Sequence, residues 1–193
     1  NLLKGKRGII FGALNEESIA WKVAERAYDE GAQLILTNTP VACRMGTINE
    51  LANKTNAKVV PADATSVDDI ENLLKVAQEY WGGKIDFILH SVGMSVNVRK
   101  NKPYDELDYN YLGKTLDISA ISFHKLLQTA KKLDAVNNNG SILALTYIAA
   151  QRTFTGYNDM ADAKALLESI TRSFGYIYGR YNGTRVNTIS QSP

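Results

Sequence analysis

The chain is 193 residues long and 45% hydrophobic, enough to bury one core of ordinary domain size. Its formal net charge is only +2, with acidic and basic residues interleaved, which argues against a surface that tracks nucleic acid. The lone Cys43 rules out an internal disulfide, the N-terminal apolar run is too short for a signal peptide, and no stretch approaches the ~20 apolar residues of a membrane span; a cytoplasmic protein with neither nucleic-acid nor membrane partners is expected.

Short apolar, β-rich runs alternate with amphipathic stretches from one end to the other, with no linker or repeat between them. The first run, Gly8 to Phe11, predicts a buried strand that leads through Gly12-Ala13-Leu14-Asn15-Glu16-Glu17 into a helix over Ser18 to Glu30. Free N–H groups and the positive helix end could seat a pyrophosphate there. The three closely spaced glycines of a dinucleotide fingerprint are absent, since the next glycine after Gly12 is Gly31, and Glu16 and Glu17 would repel phosphate if they faced it. A plain capped helix with acids in its first turn is the competing reading.

A second strand over Gln33 to Thr37 ends in Thr37-Asn38-Thr39, which carries neither the acid that holds a ribose nor the basic pair that suits a ribose phosphate. Uncharged polar groups at this point favour NAD over NADP, with Arg44 the one nearby cation that could reverse the preference. After a helix over Thr47 to Asn53, a third strand, Lys58 to Pro61, runs into Ala62-Asp63-Ala64. Asp63 either accepts from the adenine amino group or serves as a turn or N-cap residue. A helix over Val67 to Tyr80 precedes the fourth strand, Ile85 to His90, which ends in Ser91-Val92-Gly93-Met94, small enough for backbone to approach a ligand. His90 reads as a hydrogen-bonded structural residue, and with His124 its only companion no His/Cys metal site is expected.

A long helix over Leu112 to Ala135, a strand over Ser141 to Tyr147, a second long helix over Tyr157 to Arg180 and a strand over Arg185 to Ile189 complete the pattern. Strands separated by helices must run parallel, so the expected architecture is α/β: a single domain, 1–193, with a Rossmann-type doubly wound parallel sheet covered by helices on both faces. Ligands of such sheets lie beyond the carboxyl ends of the strands, where Gly12, Asp63, His90 to Gly93 and Tyr147 all fall. Tyr157 and Lys164 are about two turns apart at 3.6 residues per turn, which predicts a phenol and an ammonium side by side on one helix face, the cation lowering the phenol's pKa.

Four motifs, Gly12 with Ser18-Ile19-Ala20, Asp63-Ala64, His90-Ser91-Val92-Gly93, and Tyr147 with Tyr157 and Lys164, occur in an order and spacing that resembles the bacterial enoyl-acyl-carrier-protein reductases of the short-chain dehydrogenase/reductase superfamily, across essentially the whole chain. Carbonyl-reducing members keep a Ser near the Tyr and Lys and an Asn-Ala-Gly after the fourth strand; this chain has Tyr147 and Ser91-Val92-Gly93 instead, which favours C=C reduction. The resemblance implies NADH as cofactor and a trans-2-enoyl thioester on acyl carrier protein as substrate. It implies Tyr157 as donor to the thioester oxygen, Lys164 on the nicotinamide ribose, and Tyr147 lining the acyl pocket with a part in proton delivery. It further implies Gly12, Ala13, Ser18 and Ile19 on the pyrophosphate side, Thr39, Asp63 and Ala64 on the adenosine, Ser91, Val92 and Gly93 beside the ring, and Ser95 against substrate.

The family implies a homotetramer built through the two long helices, for which Ala161, Ala165 and Ser169 offer small contact residues. Two features depart from the pattern: the acids Glu16 and Glu17, expected to point to solvent, and Ser190-Gln191-Ser192-Pro193 where a glycine-containing turn is usual. Relatives also continue past this point with a carboxamide-binding loop, a helical flap and a final strand, so the chain is expected to lack the family's C-terminal segment. The rival expectations are a carbonyl- or alcohol-type short-chain dehydrogenase with Tyr147 in place of the usual Ser, and a catalytically silent NAD-binding protein.

Overall fold

The computed structural model describes residues 1–191; Ser192 and Pro193, and with them half of the departing C-terminal motif, lie outside the described residues. Six strands form one sheet in the order β3-β2-β1-β4-β5-β6, every neighbouring pair parallel: β1 Arg7–Phe11, β2 Gln33–Thr37, β3 Lys58–Val59, β4 Ile85–His90, β5 Val136–Tyr147 and β6 Arg185–Gln191. The chain winds outward from β1 to one edge and then returns to β4, so the order reverses between β1 and β4. A crevice at such a reversal is where open parallel sheets bind ligands.

Period-two alternation along the strands makes two cores. Ile9, Phe11 and Ile35 join one face, packed with Leu73, Phe123 and Leu167 from the helices, while Ile10, Leu34 and Leu36 join the other with Trp21, Ile48 and Leu51. The helices are α1 Ile19–Asp29, α2 Pro40–Met45, α3 Ile48–Thr55, α4 Val67–Trp81, α5 Val96–Arg99, α6 Tyr109–Leu116, α7 Ser122–Lys132 and α8 Asp159–Asn182. The local signals are legible: Ser66 caps α4 by accepting from the Asp69 N–H, Asp68 and Asp69 sit in the favourable first turn, and Gly82 ends the helix in the left-handed conformation. Among the described residues no helix is long and apolar enough to cross a membrane.

Four of the departures from the expected boundaries stand out. The third strand stops at Val59, and beyond it pairing continues only through single bonds from Val60 N–H to Leu36 O and from Ala62 N–H to Asn38 O, so the N–H that Pro61 lacks would face away from β2. The fifth strand starts five residues early, at Val136, with a register break against β4 between Ile85 and Phe87. The long helix expected over 112–135 spans Tyr109 to Lys132 and contains one π turn, Asp117–Ile121, between α6 and α7. The last helix begins at Asp159, after Tyr157. Short α2 and α5, and two 3₁₀ turns, Tyr104–Glu106 and Ile148–Ala150, carried too little periodicity to be expected.

Candidate functional site

The first-strand turn and the fourth-strand end meet at the order reversal. Gly12 has φ +91°, and a Cβ there would stand 1.9 Å from the Ser91 carbonyl oxygen, so only glycine allows this approach. Its N–H donates to Thr37 O at 3.0 Å, and Asn38 Nδ2 donates to Ala13 O at 3.2 Å, tying the ends of β1 and β2 together. Ser18 closes the loop: its hydroxyl donates to Asn15 O at 2.6 Å and accepts from Leu14 N–H at 3.2 Å. Ile19 opens α1 half out of the protein, and Glu16 and Glu17 are exposed, as expected. The first-turn N–H groups of a helix have no intrahelical partner. Together with the tight Gly12 cradle, they make a donor set that fits a pyrophosphate.

Along the adenosine side the side chains are partly committed. Thr39 Oγ1 accepts from Ala42 N–H and caps α2, Asp63 Oδ1 accepts from both the Thr65 N–H at 2.8 Å and the Thr65 hydroxyl at 2.7 Å, and Ala64 is buried. Asp63 thus plays the turn role at least. Arg44 is exposed on the last turn of α2.

Ser91, Val92, Gly93, Tyr147, Tyr157 and Lys164 line a single pocket of about 260 Å³ with Leu145, Thr146 and Met160. Lys164 is almost fully buried, its Nζ donates to Leu145 O at 2.7 Å, and burial pushes its ammonium down to about 8. A Cβ on Gly93 would lie 3.7 Å from that Nζ, so the glycine leaves the ammonium open to the pocket. The Tyr147 and Tyr157 rings stand 4.7 Å apart, with Phe154 edge-on to Tyr147 at 5.5 Å. A second cavity of about 820 Å³ adjoins this region between residues 98–104 and 149–162, with Phe154 and Tyr104 on its walls.

Three expectations are corrected here. Tyr157 does not share a helix face with Lys164: it sits in the turn before α8, and the two side chains meet only across the pocket. Its pKa is pushed up, by burial first and by Tyr147 second, so no lowering by Lys164 is seen and the phenol stays a neutral donor. Ser95 does not face the pocket; it is buried, donates to Asp159 and caps α5 by accepting from Val98 N–H at 2.9 Å.

His90 is buried between the rings of Phe11 and Phe123. Because the Ser122 hydroxyl already donates to Ile118 O, it accepts from His90 Nε2 at 2.9 Å, and burial together with the Lys164 charge drives the imidazole down to about 3. His90 is therefore neutral and structural. Sequence reasoning missed the pocket-lining Leu145, Thr146 and Met160, and also Ser119 and Ser122 behind them: the π turn swings both serines toward the β4 end, and Ser119 Oγ both accepts from Met94 N–H and donates to Met94 O. Small hydroxyls inside an apolar helix gave no signal beyond their polarity. Among the described residues no group of three His, Cys, Asp or Glu could hold a metal.

Residues 12–193 match the family model described as enoyl-(acyl carrier protein) reductase. The chain belongs to that reductase family. It is 35% identical over its whole length to "Enoyl-[acyl-carrier-protein] reductase [NADH] 1" of Rhizobium meliloti, spanning 69% of that protein. A crystal structure of FabI from Alistipes finegoldii superposes with a TM-score of 0.97 at 71% identity, covering all of this chain and 74% of that one; a FabI–NADH complex from the same organism gives the same score and identity. The enoyl-[acyl-carrier-protein] reductase (NADH) of Aquifex aeolicus follows at a TM-score of 0.91 and 34% identity. The relatives are thus longer than this chain by a quarter to a third of their own length, while each comparison covers the whole of this chain.

Proposed function

We propose that this chain catalyses the NADH-dependent reduction of a trans-2-enoyl thioester carried on acyl carrier protein, acting as one NAD-binding domain of a cytoplasmic homotetramer in fatty acid synthesis. The observation that carries the reading is the convergence of two tyrosines and a buried lysine on one pocket at the order reversal of the sheet, beside the Gly12 cradle that fits a dinucleotide. Support for the cofactor comes from the NADH reductases among the relatives and from the uncharged Thr37-Asn38-Thr39 end of β2.

Bound NADH would supply a hydride to the substrate's β-carbon. The π electrons of the C=C bond then move toward the thioester carbonyl, leaving an enolate oxygen that a later proton at the α-carbon resolves. Tyr157, held neutral by its raised pKa, donates a hydrogen bond to that oxygen. Lys164 is fixed by Leu145 O, so its remaining protons can reach ribose hydroxyls, and its charge stands at the pocket floor without solvent to screen it. Tyr147, in ring contact with Tyr157 and Phe154, closes the apolar side of the acyl pocket and stands where it can take part in proton delivery. Gly12, Ala13, Ser18 and Ile19 bind the pyrophosphate, Thr39, Asp63 and Ala64 border the adenosine, and Ser91, Val92 and Gly93 border the nicotinamide.

The test is a comparison of crotonyl and ketoacyl thioesters with NADH, followed by Tyr157→Phe. Oxidation of NADH by the crotonyl substrate alone is expected, with the chemical step lowered about a hundredfold in the variant and NADH affinity kept, since one oxyanion donor is worth ~3 kcal/mol. Turnover of only the ketoacyl thioester, or an unchanged hydride step in the variant, overturns the reading.

A further inference from the structure

Asp159 is the only carboxylate among the described residues that is fully buried. It opens α8, two residues after Tyr157 and beside Met160, which lines the pocket. Its partners are all neutral: Oδ1 accepts from Ser95 Oγ at 2.6 Å, and Oδ2 accepts from Asn97 Nδ2 at 2.8 Å and from Thr115 Oγ1 at 2.9 Å, the threonine's single proton being shared with Tyr111 O at 2.9 Å. Asn97 is itself locked, giving its second amide proton to Asp108 O and accepting from Asp108 N–H. One carboxyl group therefore joins the start of α8 to α5, to the α6 N-terminus and to Thr115.

The turn that this carboxyl anchors has an unusual backbone. Gly156 and Asn158, on either side of Tyr157, have φ of +82° and +47°, and Asn158 pairs that φ with ψ −133°, a combination outside the left-handed helical well. Such a residue persists only where its surroundings over-determine it. Here the surroundings are two: the Asn158 side chain donates to Lys102 O, and Asp159 is held by the three donors above. Both contacts reach the same stretch, residues 95–115, which also walls the larger cavity through Val98 and Asn101 to Tyr104. A helix start needing only burial would be served by an apolar side chain, because a buried carboxyl group gives up its hydration for these bonds.

We propose that Asp159 is a positioning residue for Tyr157, holding the strained turn so that the phenol is aimed at the substrate oxygen. The inference rests on the proposed role of Tyr157 as donor. It is tested in a double-mutant cycle of Asp159→Ala and Tyr157→Phe, with Thr115→Val as a milder cut at the same carboxyl group and Ile70→Val, in the distant α4 core, as a control for lost stability. Misplacement of a reacting group by about 1 Å can cost up to about a hundredfold. Asp159→Ala should lower kcat about tenfold or more and Thr115→Val about threefold, with NADH affinity and the KM of the enoyl thioester within about twofold of the parent. In the Tyr157→Phe background neither substitution should lower kcat further, since the group they aim is gone.

Full additivity in the cycle overturns the proposal, as does a fall in melting temperature with kcat unchanged, the pattern expected of Ile70→Val. If Asp159→Ala does not fold, Thr115→Val carries the cycle alone. A Tyr157→Phe enzyme with parental kcat is a different result: it overturns the reading of Tyr157 itself, whatever the Asp159 variants do.

Discussion

At the scale of single residues, Lys164 couples burial to binding. Its pKa falls from the usual lysine value to about 8 because desolvation disfavours the ammonium, so the folded protein binds fewer protons than the unfolded chain between about pH 8 and 10.5. Its burial therefore costs stability below that window, and the cost is relieved as pH rises through it. Cofactor affinity runs the other way. If the ammonium holds the nicotinamide ribose, the NADH dissociation constant should rise above pH 8 by up to about tenfold per unit, measured by fluorescence titration. Lys164→Ala should bind NADH more weakly and show no such dependence; a flat profile in the parent counts against the role. That Tyr147, Tyr157 and Lys164 would gather at one pocket was readable from the sequence, and so was the hydrogen-bonded, structural part of His90. The direction of the Tyr157 shift was not. It depends on the depth of the pocket and on Tyr147 lying 4.7 Å away, neither of which spacing along the chain encodes.

At the scale of elements, the strands and the long helices were legible because apolar periodicity reports which face is buried. What escaped were the places where a side chain overrides the period. Asn158 delayed a helix, and the π turn at Asp117–Ile121 inserted a residue that re-aims Ser119 and Ser122. Gly12 belongs at this scale too, because its conformation decides how closely β1 and β4 end together. Gly12→Ala places a methyl group against the Ser91 carbonyl and a Cβ at φ +91°. A cost of about 2 kcal/mol or more is expected, seen as a melting temperature lower by roughly 6 °C, together with weakened NADH binding from a displaced Ser91–Gly93 rim. A variant with parental melting temperature and affinity would show that the two strand ends separate freely.

At the scale of the whole molecule, the β3-β2-β1-β4-β5-β6 order puts every candidate cofactor and substrate residue except Ser95 along one rim, and this was foreseeable from the alternation of strands and helices alone. The proposed tetramer is a matter of surfaces. Ala165 and Ser169 are exposed one turn apart on α8, with Ser173 and Tyr176 following on the same side, a strip small enough at one end for a second helix to approach. Sedimentation should find the protein tetrameric, and Ala165→Arg should shift it to smaller species; a monomeric parent removes the proposal. The missed packing residue Asp159 was illegible for the same reason as the tyrosine shift. Its partners lie 44 to 64 positions away in the chain, beyond the reach of any local pattern.

Pro61 has an effect that reaches past the fold of one chain. β3 forms an outer margin of the sheet, and a proline just beyond its two paired residues removes an N–H from the row that a foreign strand would need. Crowded newly made copies would find almost nothing to zip onto at that side, which guards the protein against edge-to-edge aggregation while its sheet is still assembling.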